Sequence, residues 1–319
     1  MSALILDTDP GVDDAMAIAF ACAHPQIDLL ALTTVFGNVS VGQATRNALT
    51  LLEQFDHSEI AVATGAAQPL IQDPLPFPEF VHGSDGLGNI HLPDPVGSAI
   101  ELSAAEFIVQ QCAARPGDIT LVAVGPLTNI ALALRLDPLL PTRVKQLVVM
   151  GGTLHEAGNV SPVAEANFLA DPHAADEVFA VTWPATIVGL DVTHRVMLQA
   201  SDLGSIGKGS KRYGETLHAA SAFYMDYYNS TAVGQQDSEP ACAMHDATAL
   251  VYLLQPELFT TETGPVRIVC DGIGRGQLTM ARKGYRYLLT DWQDRGDTTA
   301  CVGVSAESVK RLFINTLLT

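Results

Sequence analysis

Positive charge is the scarcest commodity in this chain: 17 lysines and arginines stand against 35 aspartates and glutamates, a formal net charge of −18. Such an excess repels phosphate backbones and anionic bilayers, which excludes nucleic acid and membranes as expected partners and leaves a neutral small molecule as the easier ligand. Cysteine is sparse too. Cys22, Cys112, Cys242, Cys270 and Cys301 are odd in number, widely scattered and without a C-x-x-C pair, which argues against both a disulfide framework and a thiolate metal centre. Uninterrupted apolar runs of membrane-spanning length are missing, and no basic segment precedes the first short hydrophobic one, so a cytoplasmic protein is expected. Repeats, low-complexity tracts and composition breaks are also lacking, which favours one α/β domain over residues 1–319. With 48% apolar residues, the chain can fill a core of that size.

What is present is concentrated at the start. Leu4-Ile5-Leu6, too short for a helix, leads into Asp7-Thr8-Asp9-Pro10-Gly11-Val12-Asp13-Asp14, and Ala15 to Phe20 then reads as helix. In an open parallel sheet, ligands bind at the carboxyl ends of strands, where this loop would deliver up to four carboxylates. Anions that close repel one another unless a cation sits among them. Oxygen donors without adjacent His or Cys suit calcium or magnesium better than zinc. Helix capping by Asp13 or Asp14 would account for one or two of the four, not for all.

The alternation continues along the chain. Ile27 to Val35 reads as a buried strand ending in Phe36-Gly37-Asn38, which lands Asn38 beside the aspartates; Val41 to Phe55 is a helix and Ile60 to Ala63 a strand. This is the βαβ pattern of a doubly wound sheet. From Gly65 to Ser98 prolines punctuate an irregular stretch around His82-Gly83, expected to be an active-site loop. Ser103 to Ala114 carries a capping box with Glu106, and Ile119 to Val124 is a strand whose final carbonyl, on Val124, is freed for ligation before Gly125-Pro126. Gln146 to Met150 is the next strand, followed by Gly151-Gly152 and a polar loop with Asn159, Glu165 and Asn167, a set suited to gripping vicinal hydroxyls. Asp171-Pro172 opens a further helix. Thr186 to Leu190 is expected to close the parallel core. A helical region covers about 200–229, and its aromatic run from Phe223 to Tyr228 reads as core packing. His245-Asp246 opens an apolar helix, β-like runs are expected near 266–270 and 285–289, and a final helix spans about 306–317.

These blocks together resemble the inosine-uridine-preferring nucleoside hydrolases. The resemblance rests on Asp-Thr-Asp-Pro-Gly-Val-Asp-Asp from Asp7, Gly37-Asn38, His82-Gly83, Val124 to Asn129, Met150-Gly151-Gly152, Glu165 with Asn167, and His245-Asp246, in order over nearly the whole chain. It implies an open, mostly parallel doubly wound sheet flanked by helices, with a loop-rich active edge and extra carboxyl-terminal helices. It further implies calcium-dependent hydrolysis of ribonucleosides to ribose and free base, by a homodimer or homotetramer. By that resemblance Asp9 is metal ligand and general base; Asp14, Asp246 and the Val124 carbonyl complete the metal set; and Asp7 stands behind them. Asp13 and Asn38 would bind ribose hydroxyls, Asn159, Glu165, Asn167 and Met150 the far side of the sugar. His82 joins the substrate site, and His245 sits near the base to help it leave. Many relatives carry an aromatic between the Glu and Asn, where this chain has Ala166, with Phe168 just beyond.

The chemistry is coherent without the family. Glycosidic cleavage through an oxocarbenium-like state needs an activated water on one face, negative potential beside the ribosyl cation and help for the leaving base. Direct attack by water predicts inversion at the anomeric carbon. Two other readings compete. A haloacid-dehalogenase-type phosphatase also begins with Asp-x-Asp but needs a phosphate-holding lysine, and none of Lys145, Lys208, Lys211, Lys283 and Lys310 has a strand-end setting. A calcium-dependent nucleoside or ribose binder would have no use for Asp9 and His245. The base preference stays open, with Tyr224, Tyr227, Tyr228, Trp183 and Trp292 available for stacking.

Overall fold

A computed structural model describes residues 2–231, 233 and 239–319. The first half alternates strand and helix: β1 (Ser2–Thr8), α1 (Val12–Ala23), β2 (Ile27–Thr34), α2 (Val41–Gln54), β3 (Ala61–Thr64), the short α3 (Glu79–His82), α4 (Ala104–Ala114), β4 (Ile119–Ala123), α5 (Thr128–Leu136), α6 (Leu140–Arg143) and β5 (Gln146–Met150). There follow α7 (Ala166–Ala170), α8 (Pro172–Val178), β6 (Ala185–Val188), α9 (Leu190–Thr193), β7 (Met197–Gln199), α10 (Ala200–Gly209), α11 (Gly214–Asn229), β8 (Ala241–Ala243) and α12 (Asp246–Leu254). The chain ends with β9 (Phe259–Gly264), β10 (Val266–Ile268), β11 (Leu278–Met280), β12 (Thr298–Val304) and α13 (Ala306–Leu317).

The main sheet has eight strands in the order β3-β2-β1-β4-β5-β6-β12-β9. All neighbours are parallel except the edge pair β12 and β9. The order reverses beside β1, the topological switch point at which open α/β sheets bind ligands.

Side-chain alternation along β1 shows how the layers form. Leu4 and Leu6 join the core that contains residues of α1, α11, α12 and α13, while Ala3 and Ile5 join the core containing residues of α4, α5 and α8. Strands buried on both faces read as continuous apolar runs, which is why the parallel core was legible in the sequence. The same period carries on past the apolar residues. Asp7 turns to the α5 side, where it meets Asn129, and Thr8 turns to the α1 side, where it meets Asp14.

Four expectations need correction. The parallel core does not close at β6: β12 adds a parallel strand and β9 an antiparallel edge. Their sequences, Thr-Thr-Ala-Cys-Val-Gly-Val and Phe-Thr-Thr-Glu-Thr-Gly, lack the dense apolar run that marks a central strand. Tyr285 to Leu289 forms no strand and lies exposed, while Val266–Ile268 belongs to a separate two-stranded ribbon with β11. The helical region 200–229 is two helices broken around Ser210 to Tyr213. The polar loop after β5 contains the one-turn α7, capped by Glu165. No helix among the described residues is long and apolar enough to cross a membrane.

Candidate active site

The carboxyl end of β1 delivers Asp9, and the first turn of α1 delivers Asp13 and Asp14. Asp14 is held from all sides. Its Oδ1 accepts from the Thr8 hydroxyl at 2.5 Å and the Asp9 N–H at 3.2 Å; its Oδ2 accepts from the Gly11 N–H at 2.9 Å and the Asn38 amide at 3.0 Å. Asp9 is held on one side only: Oδ2 accepts from the Asn38 N–H at 2.7 Å, while Oδ1 is buried and unpartnered. Asp13 shows the same asymmetry. Its Oδ2 accepts from the Tyr224 hydroxyl at 3.3 Å and its Oδ1 is buried and orphaned. Asp246, first residue of α12, closes the group: carboxylate oxygens of Asp13, Asp14 and Asp246 all lie within 4.8 Å of one another, and all three residues are buried.

Burial is the first cause of a common electrostatic outcome. It pushes Asp13 up to about 8, with the Asp14 charge adding to the rise. Burial likewise raises Asp9, Asp14 and Asp246, and neighbouring carboxylates raise Asp9 and Asp246 further. Two unit charges 4 Å apart repel by roughly 4 kcal/mol at an effective dielectric of about 20, so several ionised carboxylates this close require a compensating charge. Orphaned, buried, all-oxygen donors fit a hard divalent cation. Asp7 stands behind the group. Its Oδ1 accepts from Thr33 at 2.5 Å and Asn129 at 2.8 Å, and burial raises it to about 7.

Asn129 was not singled out in the sequence, yet it is a junction. Its amide donates to Asp7 and to the Thr34 carbonyl, and its oxygen accepts from the Ala66 N–H at 2.8 Å. Tyr224 and Tyr228, which the sequence offers both as core packing and as faces for the base, are core residues whose hydroxyls reach the site. Tyr228 meets His245 Nε2 at 2.5 Å, and the Thr193 hydroxyl meets His245 Nδ1 at 2.7 Å. His245 is therefore occupied on both ring nitrogens, and burial holds it well below its ordinary pKa. His82 accepts from the Val12 N–H at 3.2 Å, stacks on Tyr224 and is pushed down to about 3 by burial. Both imidazoles are neutral at neutral pH. Trp183 is buried in the core on the α5 side, and Trp292 lines a cleft in the tail.

The far-side residues are placed differently from one another. Glu165 is buried and caps α7: Oε1 accepts from the Asn167 N–H, and Oε2 from the Gly152 and Phe168 N–H groups. Burial nonetheless raises it to about 7. The Asn167 amide donates to the Val124 carbonyl at 2.8 Å and the Met150 carbonyl at 3.2 Å. The Val124 oxygen is thus engaged, with one lone pair left over. Asn159 stands apart and exposed, accepting from the Ala166 N–H. Phe168 packs inward against Phe179, with its ring beneath Gly151 and Gly152.

Fold and cluster together define an α/β protein with a buried carboxylate cluster, able to hold a cation, at the switch point of its sheet. Comparison with known proteins narrows this. A model of the inosine-uridine preferring nucleoside hydrolases matches residues 4–311. The chain is 39% identical over 317 residues to a probable uridine nucleosidase 2 of Arabidopsis thaliana, covering 99% of this chain and 97% of that one. A solved plant nucleoside hydrolase superposes with a TM-score of 0.95 at 38% identity, over 100% of this chain and 99% of the other. A purine-preferring ribonucleoside hydrolase from Gardnerella vaginalis does so with a TM-score of 0.90 at 31% identity, over 99% and 98%. The chain belongs to the inosine-uridine preferring nucleoside hydrolase family, and is an enzyme that hydrolyses the N-glycosidic bond of ribonucleosides.

Proposed function

We propose that the enzyme is calcium-dependent and that Asp9 is its general base. The observation that carries this reading is the buried, unpartnered Oδ1 of Asp9, whose twin oxygen is pinned by Asn38 beside the Asp13, Asp14 and Asp246 cluster. Asp14 and Asp246 would hold the ion together with Asp9 and the Val124 carbonyl, while Asp13 and Asn38 face the ribose hydroxyls. A bound divalent ion supplies positive charge that acidifies water and templates a vicinal diol. Asp9 takes the proton of the attacking water through its unpartnered Oδ1. The buried carboxylates place negative potential beside the developing ribosyl cation. Asn159, Glu165, Asn167 and Met150 are assigned to the far side of the sugar, and His82 to the substrate site beside Asp13.

His245 would assist the leaving base in concert with Tyr228, whose hydroxyl meets its Nε2. The named relative makes uridine the first substrate to try. We also read the enzyme as cytoplasmic, which its free thiols suit, and as a homodimer or homotetramer; sedimentation would decide the latter. The central test is Asp9→Asn. Turnover should fall by about two to three orders of magnitude, the scale of a general base, with nucleoside binding retained. Activity within about tenfold of the parent would remove Asp9 from this role. Reducing-sugar release from inosine, adenosine, uridine and cytidine, with and without a calcium chelator, tests ion dependence and base preference together.

A further inference from the structure

Positive charge, so scarce overall, gathers in the tail. Arg267, Arg275, Arg282, Lys283, Arg286 and Arg295 are six of the chain's 17 lysines and arginines. Arg267 and Arg295 are neutralised by Asp176, at 3.0 and 2.7 Å. Arg282, Lys283 and Arg286 instead line a cleft of about 470 Å³ and have no ion-pair partner among the described residues. Asp297 is the single carboxylate-bearing residue in that lining.

The cleft also has aromatic walls. Tyr285 and Tyr287 stack at 6.4 Å between centroids, in a turn closed by the Tyr287 hydroxyl, which accepts from the Arg282 N–H at 3.0 Å. Trp292 lines the same space, and its indole N–H is buried without an acceptor. A buried donor with nothing to donate to is uncommon, and here it belongs to a residue of the cleft wall.

This cleft is not the catalytic site. Gly264, in its wall, pairs with Thr298 at the start of β12, and β12 runs parallel to β6 with Thr299 opposite Thr186. It therefore lies at the amino ends of the parallel strands, the edge opposite the carboxylates. Its volume falls within the usual range for small-molecule sites.

We infer that the cleft binds a nucleoside monophosphate. Arginine forks and a lysine ammonium match phosphate oxygens, and tyrosine and tryptophan faces take a planar base without reading its identity. Polyanions are a poorer match, since the remaining charge of the chain repels them over distance. A second copy docked by two-fold symmetry would set these cations against themselves.

Calorimetric titration of the full chain with adenosine 5′-monophosphate, ribose 5-phosphate and inorganic phosphate tests the assignment. The nucleotide should bind one per chain, about tenfold or more tighter than either phosphate lacking a base, and R282A/R286A should weaken it by at least about tenfold. Nucleoside hydrolysis by that variant, measured without nucleotide, should match the parent. Absence of nucleotide binding, or equal binding to the double variant, which would locate the nucleotide in the catalytic site, overturns the proposal. Equal binding of inorganic phosphate, or a change in sedimentation of the variant that marks this face as a contact between copies, overturns it as well.

Discussion

Asn129 shows how much one side chain can hold together. It is fully buried, spans β1, β2 and the loop at Ala66, and fixes the Asp7 carboxylate from behind. Asn129→Ala would strand the Thr34 carbonyl and the Ala66 N–H and leave Asp7 with Thr33 as its remaining donor. Each stranded buried group costs about 1–3 kcal/mol, so a loss of about 2–6 kcal/mol is expected, read from the urea midpoint at unchanged slope. A loss below about 1 kcal/mol would mean that water replaces the amide and that the junction is dispensable. Sequence alone could not weight this residue. Asn129 sits in a stretch that also reads as an ordinary helix start, and its value comes from partners 63, 95 and 122 positions away.

At the level of elements, the loops after β2 and β4 close on Asp9 because glycine leaves them room. A Cβ at Gly37 would stand 2.0 Å from Asp9 Oδ2, and one at Gly125 would stand 2.5 Å from Oδ1. Space, not an unusual backbone angle, is the requirement, since neither glycine has a positive φ. Gly37→Ala should displace the Asp9 carboxylate and lower turnover about a hundredfold, the usual consequence of misplacing a catalytic group by about 1 Å. Gly42→Ala, in α2 with open space around its Cβ, is the matched control: activity unchanged and stability raised by up to about 1 kcal/mol. Equal activity in both variants would show that Asp9 tolerates displacement. The elements that were legible in the sequence are those whose signal is local. The apolar runs of β1, β2, β4 and β5 and the Ser103 capping box are examples. Strands β9 and β12 escaped notice because a half-exposed edge strand and a threonine-rich one take their pairing from distant partners.

Across the whole molecule, the candidate site joins residue 9 to residue 246, and its carboxylates set how the entire fold responds to pH. The opening motif announced oxygen donors at a strand end; which oxygens would be orphaned, and how deeply, emerged only once α11 and α12 were packed over them. Asp7 and Asp13 have folded pKa values of about 7 and about 8, well above the ~3.9 of an exposed aspartate. A carboxyl whose folded value is raised binds its proton more tightly in the native state. Its stabilisation is complete below about pH 4 and is withdrawn as pH rises through about 7 and then about 8. Protein stripped of divalent ions should therefore lose thermal stability progressively between about pH 4 and about pH 8. Ion binding to the ionised carboxylates has the opposite dependence, because it releases those protons and strengthens as pH rises. At about a hundred times its Kd, an ion adds about 2.7 kcal/mol, or roughly 5 °C in a chain of this size. Scanning calorimetry with calcium and with chelator should show a gap that is small near pH 6 and widens to at least that value near pH 8.5. A gap that is absent would mean that these carboxylates keep their protons and that no cation is needed to hold them together, and one equal at both pH values would mean that ion binding releases none of their protons in that range.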